Sequence, residues 1–184
     1  MISILAGGRE SELDLTDLEL KRDFSTLKAM KNGTTETTLA FEELAKSYPG
    51  ISFIHKYPGF VNTGVIDKLM KTTKGLWLLP ATLFRWVVLP VINLFSTSVD
   101  EAGERGLFLA TSARYPGLKA KEAGVELPKG VQVVKEDSGV YRLGPRDDPV
   151  DPTPALLALR QEGASKTVWE STMAVWERAL ARSE

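Results

Sequence analysis

The chain has 184 residues, 43% of them hydrophobic and 26% charged, with 23 Lys and Arg against 24 Asp and Glu. This is the balance of an ordinary globular fold with a real core, and a net charge of −1 supplies no electrostatic attraction for nucleic acid. There is no cysteine and His55 is the single histidine, which excludes disulfides, thiolate metal sites and any site built on two histidines.

The opening Met1-Ile2-Ser3-Ile4-Leu5 has no basic stretch, and its apolar run is too short for a signal peptide. Residues 2–5, ending in Ala6-Gly7-Gly8, predict a strand followed by a loop. Buried parallel strands read as continuous apolar runs, so this strand calls for neighbours on both sides. Residues 10–23 are acidic, with leucines at 13, 15, 18 and 20, and predict a surface loop or short helix. A helix is predicted over 24–47, with apolar positions at Leu27, Met30, Leu39, Phe41 and Leu44. Gly33 and the threonines at 34, 35, 37 and 38 are poor helix formers, so packing must hold its middle. Tyr48-Pro49-Gly50 ends it.

Residues 51–57 predict a second strand, closed by Pro58-Gly59. Strand, long helix, strand is a βαβ unit, so the two strands are expected to be parallel. Residues 66–95 are strongly apolar and broken by Gly75, Pro80 and Pro90. A second helix is predicted over 98–111, with Ser98 as N-cap, Asp100 and Glu101 in the first turn, and Glu101 at capping-box spacing. Residues 115–151 are rich in Gly, Pro and charge, with one short strand at 139–143. A final helical region covers 154–181, where Trp169, Met173 and Trp176 stand at helical spacing, and Trp169 and Trp176 are expected to pack it onto the body. There is no internal repeat.

Phe24-Ser25-Thr26-Leu27-Lys28 has the spacing of the Tyr-x-x-x-Lys motif, in which two side chains four apart share one helical face. With the strand that ends in small residues upstream and His55-Lys56-Tyr57-Pro58-Gly59-Phe60-Val61-Asn62-Thr63 downstream, the chain resembles the C-terminal half of a short-chain dehydrogenase/reductase. The later helix ending Phe108-Leu109-Ala110-Thr111-Ser112 and the strand Gly139-Val140-Tyr141-Arg142-Leu143 are similar to that family's next elements. The opening, the helix at Phe24 and Lys166-Thr167-Val168-Trp169-Glu170 are most similar to fungal members that lie near secondary-metabolite genes.

The resemblance implies an α/β fold, a partial Rossmann-like three-layer αβα domain over 1–184 with a parallel sheet of the C-terminal half only. It also implies an apolar lid insertion at 66–97 and a C-terminal helical extension at 152–182. In the family the tyrosine exchanges a proton while hydride moves to or from the nicotinamide, and the lysine lowers its pKa and holds the cofactor ribose. Here Phe24 stands at the tyrosine position, Ala6 at the serine position, and Lys28 is the remnant of the trio. Lys28, Pro58, Gly59 and Thr63 are the implied contacts to NADP or NAD. No G-x-x-x-G-x-G occurs in the chain, so the resemblance implies a truncated, inactive form that does not bind the cofactor alone. Its substrate is expected to be an apolar ketone or alcohol, its location cytoplasmic, its strand edge at 2–5 open to a docking partner, and the helix at Phe24 the surface through which copies of the chain associate.

Two other readings stand beside this one. The first is a non-catalytic module that binds a protein, or a membrane surface through 75–95, where Arg85 near the centre would cost a full span about 2.5–3.5 kcal/mol. The second is a redox-silent isomerase or cyclase on the same fold.

Overall fold

The computed structural model describes residues 1–64, 68, 84–120 and 124–181. The chain divides into two compact units, Met1–Tyr57 with Leu109–Glu184, and Pro58–Phe108.

The first unit is built on a three-stranded sheet, β1 (Ile2–Ile4), β2 (Phe53–Lys56) and β3 (Val140–Leu143), in the order β1-β2-β3. All pairings are parallel, with Ile2 opposite Ile54 and Phe53 opposite Val140. Every residue of β2 and β3 is buried, as the apolar runs predict for a covered parallel sheet. Because β1 is an outer strand, one edge of it has no ladder partner among the described residues.

Helix α1 (Thr26–Ser47) begins two residues later than the periodicity suggests. Ser25 is extended, and its hydroxyl accepts the Lys28 N–H at 3.2 Å, so Ser25 takes the cap position and Phe24 stays outside the helix. The threonine-rich middle of α1 is stable because each hydroxyl has a partner. Those of Thr34 and Thr37 donate to the carbonyls of Met30 and Gly33, at 2.9 and 2.7 Å. Thr35 is fully buried, accepts from Ser11 N–H at 2.8 Å, and lies 3.0 Å from the Ser11 carbonyl. Tertiary contacts thus offset the low intrinsic propensity.

The loop between β1 and α1 is not a plain surface loop. Leu13, Leu15 and Leu18 pack on a cluster of Leu39, Leu156, Leu159, Ala164 and Val168. A second cluster, Phe41, Ala45, Phe53 and Val140, joins the other side of α1 to the sheet. Removing buried side chains of this size costs about 2–5 kcal/mol each.

The C-terminal region is two helices, α4 (Pro154–Gln161) and α5 (Ala164–Leu180). Thr153 caps α4 through its hydroxyl, and Gly163 at φ 71° separates the two. The buried face of α5 is Ala164, Ser165 and Val168. Of the expected anchors, Trp169 is half-buried and Trp176 is instead 62% exposed. The pattern allowed two neighbouring stripes on this helix, and the contact with α1 selects the one with the smaller side chains.

In the second unit, Val61 bridges to Thr97, and a π-helical turn (Phe84–Val88) leads into α2 (Leu89–Leu94). Helix α3 (Val99–Thr111) carries the chain back into the first unit. Ser98 Oγ accepts the Glu101 N–H at 3.1 Å, as the cap spacing predicts. The Glu101 carboxylate turns to Arg105 at 2.6 Å. Of the expected lid at 66–97, residues 66–67 and 69–83 lie outside the described residues. Among the described residues no helix is long and apolar enough to cross a membrane.

Candidate functional site

Ligands of parallel α/β sheets bind beyond the carboxyl ends of the strands. In the first unit those ends are β1 running into Ala6-Gly7-Gly8, β2 into Tyr57, and β3 into Gly144. Here they are occupied by the protein itself. A Cβ added to Gly7 would lie 1.8 Å from the His55 carbonyl oxygen, so this residue is glycine to let two backbones touch. A Cβ on Gly8 would meet the Val150 side chain at 2.9 Å, and its φ is 83°. Lys56 Nζ, at the end of β2, pairs with the Asp147 carboxylate, both nearly buried. The Tyr115 hydroxyl donates to the Asp147 carbonyl at 2.5 Å. The Arg9 guanidinium lies 4.2 Å over the Tyr57 ring.

Behind this lies a buried polar chain. The Ala6 N–H donates to His55 Nε2 at 3.3 Å, so the neutral ring carries its proton on Nδ1 and gives it to Thr38 Oγ1 at 2.8 Å. Thr38 in turn donates to Glu10 Oε1 at 2.8 Å, which also accepts the Gly8 N–H at 3.0 Å. Arg142, opposite His55 on β3, is 3% exposed, and its Nε and Nη1 have no hydrogen-bond partner among the described residues. Burial pushes its guanidinium below the usual range, and the Glu10 carboxylate offsets part of that. His55 is fully buried with both nitrogens engaged, so it ties the β1 loop to α1 and does not meet a substrate.

Burial also pushes the His55 imidazole from 6.5 down to about 4, against a smaller upward pull from Glu10. The unfolded chain therefore takes up a proton that the folded chain refuses. The stability contributed by neutral His55 is complete above about pH 6.5 and is lost as pH falls through about 4. The loss amounts to about 3 kcal/mol at most. His55→Gln is expected to flatten this part of the acid limb in urea unfolding at a series of pH values. Equal pH slopes in the two proteins would contradict it.

The residues singled out by the resemblance fall as follows. Ala6 presents only a methyl group and its N–H to His55. Phe24 is 70% exposed and precedes the cap of α1. Lys28 Nζ lies 3.0 Å from the Asp23 carboxylate. Pro58, Gly59 and Thr63 belong to the second unit, where Gly59 has φ 68° and the Thr63 N–H donates to the Val61 carbonyl at 2.8 Å.

A dinucleotide needs a glycine-rich turn leading directly into a helix N-terminus, where free N–H groups hold the pyrophosphate. The first unit does not fit that requirement. Gly7 and Gly8 are consumed by contacts with His55 and Val150, and α1 starts far along the chain with its own serine cap. Among the described residues no cluster of three or more His, Cys, Asp or Glu could hold a metal. The Glu10, Thr38, His55 and Arg142 cluster was not singled out from the sequence. The available signal was His55 and Lys56 inside an otherwise apolar strand, where a buried polar group demands a partner.

The elements and their contacts thus define an α/β chain with a partial Rossmann-like parallel sheet. No family model matches the sequence, and no solved structure matches it. Among curated proteins it is similar to Oxidoreductase AN1596 of Emericella nidulans, at 34% identity over 99% of this chain and 54% of that protein. It is similar at 28% identity to Oxidoreductase andH of Emericella variicolor, over 100% of this chain and 54% of that one. An NmrA-like family domain-containing oxidoreductase, notO, from an Aspergillus species is 29% identical over 97% of this chain and 49% of its own length. The chain is therefore similar throughout to fungal oxidoreductases and spans about half the length of these relatives.

Proposed function

We propose that this chain is the carboxyl-terminal part of a fungal NAD(P)-dependent oxidoreductase of the short-chain dehydrogenase/reductase kind, working on an apolar ketone or alcohol in secondary metabolism. On this reading the chain is catalytically silent by itself. The observation that carries it is the match of nearly the whole chain to about half of proteins named oxidoreductases. The outer strand β1, with Ile4 58% exposed, supports it further, because a parallel strand of this composition is normally covered on both sides.

The residues account for the silence. Phe24 and Ala6 carry no hydroxyl, so neither can donate or accept the proton that accompanies hydride transfer. Lys28 has an aspartate as neighbour where the family would place a tyrosine hydroxyl. The glycines after β1 hold protein and not pyrophosphate. The cofactor, when bound by a complete enzyme, would supply or accept hydride, and no step of that kind is assigned to this chain.

Titration of NADPH and of NADH into the purified chain, followed by calorimetry, is expected to give no binding at micromolar concentrations. Micromolar binding would overturn the silent reading. A reading frame directly upstream that encodes a strand, glycine-rich turn and helix would support the part-of-an-enzyme reading.

A further inference from the structure

In the second unit, Trp86, Val87 and Val88 follow one another in the π-helical turn, and all three are exposed. Val91, Leu94 and Phe95 are exposed as well, and Trp86, Leu94 and Phe95 reach 75%, 81% and 82%. A helix that docks in a protein groove hides one stripe of residues three or four apart and keeps its other faces polar. Consecutive apolar residues exposed together do not fit that pattern. A medium that is apolar in every direction covers them equally. The turn and α2 hold five and six residues, far fewer than the about 20 that cross a bilayer. Elements of this length lie in a surface and do not pass through it.

The charge of the same stretch selects the kind of surface. From Pro58 to Thr97 the sequence carries Lys68, Lys71, Lys74 and Arg85 against Asp67 as the one acidic residue, in a chain whose net charge is −1. The other acidic residues of the unit, Asp100, Glu101 and Glu104, stand on α3. We propose that the second unit docks on an anionic phospholipid surface, with Trp86, Leu94 and Phe95 inserted at the headgroup boundary. Tryptophan favours that boundary because its ring is apolar and its N–H finds a wet partner. Basic residues are drawn to an anionic leaflet, and apolar insertion and charge attraction add in one segment. A second copy of the chain fits less well, since pairing this stretch with itself brings like charges together. The proposal does not rest on the oxidoreductase reading.

The test is sedimentation of the full chain with vesicles of phosphatidylcholine alone and of phosphatidylcholine mixed with phosphatidylserine. The chain is expected to bind the mixed vesicles about tenfold more strongly than the neutral ones, and to be released by high salt. Trp86→Ser with Phe95→Ser is expected to weaken binding to mixed vesicles about tenfold or more, with the melting temperature unchanged because both side chains are exposed. Leu94→Glu, a single change that sets a negative charge on the same exposed element, is expected to act in the same direction. Trp176→Ser, at an exposed tryptophan of α5 in the first unit, is expected to leave binding unchanged. No sedimentation with mixed vesicles, equal sedimentation with neutral ones, or unchanged binding in Leu94→Glu and in the double variant would each overturn the proposal. A dimer in gel filtration that Trp86→Ser with Phe95→Ser converts to monomer would also overturn it, by giving this face to a second copy. Vesicle binding is read without cofactor or turnover, so its failure leaves the oxidoreductase reading untouched.

Discussion

Gly7→Ala is expected to destabilise the chain by about 3 kcal/mol or more, at the upper end of overpacking effects. The cause is steric. The new Cβ would lie 1.8 Å from the His55 carbonyl oxygen and 2.5 Å from its carbon. Those atoms belong to β2, the central strand of the sheet, so they cannot rotate away as a side chain could. Relief requires the β1 loop to lift, and lifting it breaks the hydrogen bond from Ala6 N–H to His55 Nε2 and exposes the Glu10 and Thr38 pair. Conformational freedom is not the issue at this position, because Gly7 is not among the glycines with positive φ. The denaturation midpoint in urea, with its slope unchanged, measures the effect. A shift worth less than about 1 kcal/mol would show that the loop docks loosely and that His55 does not hold it.

Lys56→Met is expected to cost about 3–5 kcal/mol, because it removes the Lys56 ammonium from a nearly buried carboxylate. Lys56 and Asp147 have side chains only 6% and 11% exposed, so water cannot replace the lost partner. The pair also closes the carboxyl end of β2 over the turn that follows β3. Asp147 holds φ 64°, a left-handed conformation that Asp and Asn accept more readily than most residues. Asp147→Asn is therefore the suitable second change. It removes the charge and keeps the backbone. The double variant Lys56→Met with Asp147→Asn is expected to recover a large part of the loss, since two neutral side chains need no compensation. Equilibrium unfolding of the two single variants and the double variant, compared as a cycle, gives the coupling. Additive losses would mean that the two side chains act independently and that the site is wetter than its burial indicates.

Much of the local structure was legible in the sequence. The apolar runs at 2–5 and 51–57, separated by a long helix, announced two parallel strands, and β1 and β2 pair in that way. The run 139–143 became β3, joined to β2 in the same direction. Ser98 caps α3 as its spacing predicted. These features depend on neighbours within a few residues, which is the range over which periodicity and capping chemistry act.

Other features were decided by contacts remote in the chain. The threonines of α1 read as a weakness, but Ser11, Glu10 and His55 satisfy two of them from other elements. The Glu10 loop read as solvent-facing, yet Glu10 and Asp17 are buried and three of its leucines join the core. On α5, helical spacing offered Trp169 and Trp176 as anchors, whereas Ala164, Ser165 and Val168 are the buried residues, Trp169 is half-buried and Trp176 is exposed. Two glycines after β1 read as a loop, and the close approach of His55 and Val150 shows what they accommodate.

By itself the sequence determined the three strands and the helices that follow Ser25 and Ser98, that the strands run parallel, and that no hydroxyl stands at Ala6 or Phe24. Only the tertiary structure decided which helix face is buried, that His55 is held neutral in the interior, and that Trp86, Leu94 and Phe95 are left exposed. The physical reason is range. Backbone propensity and periodicity act between near neighbours, whereas burial, desolvation and the pairing of polar groups depend on which distant segments come to lie against one another.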